Sequence, residues 1–126
     1  MPSNQDLITI IIEPNSKMPS PYCHLPKNYN VVRFKTIKLA LWELVELKPH
    51  LVFLSASFSS STLVRFLEAF KGFTPSQLIP VVMIVDLSHR LNFIPGTSWG
   101  GKMAVLDSQA SKKELYSALD RVLQPS

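Results

Sequence analysis

Cysteine is almost absent from this chain, with Cys23 alone among 126 residues. A single cysteine excludes an internal disulfide and fits a reducing compartment. Cys23 and His24 have no further Cys or His partners nearby, so they do not make a zinc site. Glycine is scarce as well, four residues in all, and none falls in a G-x-G-x-x-G or Walker pattern. A dedicated nucleotide fold is therefore not expected. There is no G-x-S-x-G elbow either, which leaves Ser55 and Ser57 without the setting a serine nucleophile needs. Long apolar runs are missing too. Residues 7–12 are six apolar-type positions, far from the ~18 that a membrane span requires, and no charged segment precedes them as in a secretory signal. These absences predict a cytoplasmic protein with no membrane association.

Proline, in contrast, is abundant and unevenly placed. Pro14, Pro19, Pro21 and Pro26 crowd one short stretch. Each interior proline costs a helix about 3 kcal/mol, so residues 14–29 are expected to form a loop or at most a turn or two. The rest of the composition is that of a globular chain, 46% hydrophobic and 17% charged. One domain spanning residues 1–126 can bury roughly two thirds of its unfolded surface. The net charge of +4 comes from dispersed basic residues, densest at Arg33, Lys35 and Lys38. Dispersal points to a solvated surface; a weak nucleic-acid interface through those three is the alternative.

The remaining patterns alternate between strand and helix. Leu7-Ile8-Thr9-Ile10-Ile11-Ile12 is β-branched almost throughout and reads as a buried first strand ended by Glu13-Pro14. Val31-Val32-Arg33-Phe34 reads as a short second strand. Ile37, Ala40, Leu41, Leu44 and Val45 then recur at helical spacing up to Pro49. The apolar run Leu51-Val52-Phe53-Leu54 suits a strand covered on both faces. Leu63, Phe66, Leu67 and Phe70 line a second helix, with Gly72 as its expected stop. Residues 78–85 read as a fourth strand. Residues 89–94 allow a short helix broken by Pro95-Gly96. Met103-Ala104-Val105-Leu106 is a fifth strand. Ser111-Lys112-Lys113-Glu114 is a capping box opening a last helix whose stripe is Leu115, Ala118, Leu119 and Val122. Five strands joined by crossovers predict an α/β, flavodoxin-like parallel sheet of order 2-1-3-4-5, its first helix shortened or replaced by the proline-rich loop.

Two stretches carry a family resemblance. A helix, then Pro49-His50-Leu51-Val52-Phe53-Leu54 and a small polar residue, resembles the third strand of a CheY-like receiver domain of two-component signalling. Ile79-Pro80-Val81-Val82 resembles that family's fourth strand. The resemblance covers most of residues 7–123. It implies a phosphorylation site built from two acids after the first strand, an acceptor aspartate after the third, a hydroxyl after the fourth and a lysine after the fifth. A transferred dianion needs such neutralisation by metal and ammonium. This chain departs at nearly every position. Glu13 followed by Pro14 stands for the acidic pair, Ser55 for the acceptor, Val85 for the hydroxyl and Asp107-Ser108 for the lysine. The resemblance thus implies a degenerate pseudo-receiver, not an enzyme, with no cofactor and no metal.

Such a module would act by contact with a protein partner, a second copy of the chain being one candidate. The resemblance places the partner face at the fourth helix, fifth strand and fifth helix, here Leu91, Phe93, Trp99, Met103, Lys112 and Tyr116. Trp42, off the apolar stripe of its helix, and Phe73 are further aromatic candidates. The sheet face that lacks a first helix must be covered by residues 14–29 or by another chain. From another functional class, Glu13, Asp86 and Asp107 all follow strands and would make a cation or small-ligand sensor at the carboxyl edge.

Overall fold

The computed structural model describes residues 7–13, 22–55, 60–73, 79–85 and 103–123. It holds five strands, β1 (Leu7–Ile12), β2 (Tyr29–Phe34), β3 (Leu51–Ser55), β4 (Val81–Val85) and β5 (Met103–Asp107). Three helices accompany them, α1 (Ile37–Leu47), α2 (Ser60–Phe73) and α3 (Lys112–Leu123). The strands form one sheet of order β2-β1-β3-β4-β5, every neighbouring pair parallel. This is the flavodoxin-like order expected from the sequence. Between β1 and β2 the described residues hold only a 3₁₀ helix of three residues, Tyr22–His24. The prolines thus leave a shortened element where a first helix would stand.

Strand alternation divides the core in two. Ile10, Ile12, Val52, Leu54, Val81, Met83 and Val85 meet Ile37, Ala40 and Leu44 of α1 and Leu63 and Phe66 of α2. Ile11, Phe53, Val82, Ile84 and Leu106 meet all four stripe residues of α3 on the opposite face, together with Tyr22. Both layers bury the central strands, which is why β3 and β4 are apolar without alternation.

Local chemistry sets the boundaries. Thr36 caps α1, its side-chain oxygen accepting from the Leu39 amide at 3.2 Å. Lys48 ends the helix in the left-handed region (φ 47°), its amide donating to the Leu44 carbonyl, and Pro49 follows. The capping box closes reciprocally: the Ser111 amide donates to Glu114 Oε1 at 3.0 Å, and the Glu114 amide to Ser111 Oγ at 3.2 Å.

Several boundaries differ from the sequence expectation, and β3 takes in Ser55, which pairs with Ile84. β2 starts two residues early, since Leu7 pairs with Tyr29 and the Tyr29 ring packs on the α3-side core. β4 begins only at Val81, because Pro80 has no N–H for the ladder, although its carbonyl accepts from the Val52 amide. α2 runs through Gly72 to Phe73. β5 gains Asp107, which pairs with Val85. The short helix expected at 89–94 lies outside the described residues.

Candidate functional site

Because all strands run the same way, their carboxyl ends share one edge, where open α/β sheets bind ligands. Glu13, Ser55, Val85 and Asp107 with Ser108 stand along it. Ile12 pairs with Leu54, so Glu13 is level with Ser55 on the adjacent strand. Glu13 and Asp107 are three strands apart, ~14 Å at the usual strand spacing, too far to share one cation. Asp86, the third acid of that expectation, lies outside the described residues. Among the described residues no three His, Cys, Asp or Glu side chains gather at metal-binding distance.

Each edge residue is occupied structurally. Asp107 Oδ1 accepts from the Gln109 amide at 3.3 Å and its carbonyl from the Ala110 amide at 2.9 Å, so it shapes the turn into α3. The Ser108 amide donates to the Val85 carbonyl at 2.7 Å. The Val85 side chain fills the core against α1 and α2. Ser55 is 4% exposed and Glu13 is buried beside it. His50 belongs to the opposite edge, ~16 Å along β3 from Ser55. There its amide donates to the Ile8 carbonyl at 2.8 Å while its Nδ1 accepts from the Ile8 amide at 3.0 Å. It clasps β1 to β3 and cannot serve Ser55 as a base.

Tyr22 is the residue that sequence reasoning missed. It is 3% exposed, and its ring meets that of Phe53 edge-on, with centroids 5.4 Å apart and planes at 72°. This ring fills the α3-side face where a first helix would otherwise pack, with Leu25 and Tyr29 beside it. The covering expected of residues 14–29 therefore comes in part from Tyr22 and Leu25. Its hydroxyl is buried without a hydrogen-bond partner. Burial pushes the Tyr22 pKa well up, the nearby Glu13 carboxylate adds to this, and the Arg33 guanidinium opposes it. A signal was available, since Tyr22 is an aromatic residue in a stretch that must cover an apolar face.

The candidate contact residues fall in different places. Trp42 is 79% exposed on the outer face of α1. Met103 is half-buried against the α1–α2 core. The Lys112 ammonium sits 5.5 Å over the Tyr116 ring, and the Tyr116 hydroxyl donates to the His24 carbonyl at 3.3 Å. That bond ties α3 to the 3₁₀ helix, so Tyr116 has a role within the chain. Leu91, Phe93 and Trp99 lie outside the described residues, as does the Phe73 side chain. Cys23 is exposed. No helix among the described residues is long and apolar enough to cross a membrane. No protein-family model matches the chain, and no curated protein matches it either.

Proposed function

We propose that the chain is a receiver-like domain that has lost phosphoryl transfer and works as a regulatory or scaffolding module through protein–protein contact. The observation that carries the reading is Ser55, buried at the carboxyl end of the central strand in a 2-1-3-4-5 sheet. A serine there offers no carboxylate to form an acyl phosphate and no charge to hold a magnesium ion. Val85 in the hydroxyl position and Asp107-Ser108 in the lysine position support the same loss. A receiver switches because its phosphorylated and free states differ in free energy. Without that difference the contact surface is constitutive, and the reading assigns the chain no enzymatic step.

The test is incubation with acetyl phosphate and magnesium, read by intact mass, alongside light scattering of the same sample. No phosphoryl adduct is expected. An adduct would overturn the reading.

A further inference from the structure

We propose that the outer face of α1 is a self-complementary interface that pairs two copies of this chain antiparallel. This names the partner of the contact module and rests on that reading only for the expectation of contact. Trp42 sits opposite the buried stripe of α1, 79% exposed, with Leu39 beside it at 56%. Exposed tryptophan of this extent is rare on a surface that stays in water and is characteristic of contact centres.

The charges around Trp42 say what covers it. Lys38 lies four residues before Trp42 and Glu46 four residues after, and both are exposed. Residues four apart form one ridge along a helix. The ridge therefore reads cation, tryptophan, anion. A two-fold axis through Trp42 sets each residue against the one equally far from Trp42 in the other copy. Lys38 then meets the partner's Glu46, Trp42 meets the partner's Trp42, and Glu46 meets the partner's Lys38. When such ridges interdigitate, the helices cross at about −50°, and the two ridges lie side by side. Few arbitrary surfaces are complementary to themselves in this way, and two-fold pairing requires it.

The same charges are badly placed for the helix alone. The first turn of α1 contains no acid and the last turn no base. Lys38 lies instead near the positive end of the helix dipole and Glu46 near the negative end. Antiparallel pairing reverses this, because each charge then faces the oppositely charged end of the other helix. The interface is small. One tryptophan contributes ~150–250 Å², so the pair falls below a standard interface and the association is a weak one, in the micromolar range or above.

Sedimentation velocity of the full chain from ~1 to ~500 μM brackets that range. The wild type is expected to pass from monomer to dimer. Trp42→Ala, Lys38→Glu and Glu46→Lys should each weaken pairing at least tenfold while leaving the circular dichroism spectrum unchanged. An equimolar mixture of K38E and E46K chains should regain dimers, because in the mixed pair both charge contacts are again opposite in sign. Loss in each single variant together with recovery on mixing would support the antiparallel register, because parallel pairing would already set Lys38 against Lys38 and Glu46 against Glu46 in the wild type. A wild type that stays monomeric throughout would overturn the proposal and assign the face to a different partner. A dimer indifferent to Trp42→Ala, or single-charge variants that fail to recover on mixing, would also overturn it. Either dimer result leaves the loss of phosphoryl transfer standing, since only an adduct bears on that.

Discussion

Replacing Tyr22 by phenylalanine should stabilise the protein. The substitution keeps the ring, and with it the edge-on contact to Phe53 and the cover over the α3-side core. It removes only the hydroxyl, which is buried and unpartnered. A buried polar group without a hydrogen bond costs ~1–3 kcal/mol, so Tyr22→Phe should gain about 1–2 kcal/mol. For a chain of this size that corresponds to a rise of ~4–8 °C in Tm. Urea unfolding should show a higher midpoint with an unchanged slope, because the exposed area is the same in both proteins.

The pH dependence provides a second reading of the same group. Burial, reinforced by the Glu13 carboxylate, holds the folded Tyr22 pKa above its ordinary value. In the unfolded chain a tyrosine ionises near 10. Above about pH 10 the unfolded state therefore sheds a proton that the native state keeps, and stability falls as pH rises. Below pH 10 this contribution is fully present. Tyr22→Phe deletes it, so the advantage of the variant should widen between about pH 9 and 11. A shallower alkaline loss should persist in the variant. The Tyr29 pKa is also raised, first by burial, then by Asp120 and Tyr116, although that ring is only partly covered. A variant less stable than wild type at neutral pH, with the slope unchanged, would refute the reasoning. The hydroxyl would then have a partner in solution, such as a water shared with Glu13.

Lys48→Gly should also stabilise, by ~0.5–1 kcal/mol, because φ at Lys48 is 47° and glycine takes that conformation without Cβ strain; equilibrium urea unfolding measures it, and no gain would mean the lysine side chain compensates elsewhere. Ser55→Asp should destabilise by ~3 kcal/mol or more, since it buries a carboxylate beside Glu13. Acetyl phosphate should still leave that variant unmodified, as Val85 brings no hydroxyl to the phosphoryl group and Asp107-Ser108 no ammonium. An adduct on the Ser55→Asp variant would show that only the acceptor had been lost.

The parts of the fold legible in the sequence are those where one physical demand acts alone. β1 and β3 are covered on both faces, so their apolar runs could hardly belong to anything else. α3 declares itself twice, through the Ser111–Glu114 box and a stripe of four residues that are all buried. Legibility fades where two demands compete. Tyr29 and Asn30 belong to β2 although Asn30 is a poor strand former, because backbone pairing with β1 outweighs its propensity. Gly72 stays inside α2 against its own preference. Tyr22 was hidden for a related reason. The prolines around it forbid a helix and say nothing of cover, while the tertiary task of filling that face falls to Tyr22 with Leu25 and Tyr29 beside it.

The candidate site divides along the same line. In the proposed receiver-like reading the lost chemistry is local: Ser55 at the end of β3 offers no carboxylate for an acyl phosphate, and that is legible in the sequence. A contact surface is relational. Trp42 stands off its stripe in the sequence, but exposure alone names no occupant. The occupant we propose, a second copy of the chain, rests on Lys38 and Glu46, whose order along α1 opposes the helix dipole. A helix that gave up favourable end charges for solvent alone would gain nothing from the exchange. Meeting its own reverse image in the proposed pair, it would recover both charge contacts and cover its tryptophan.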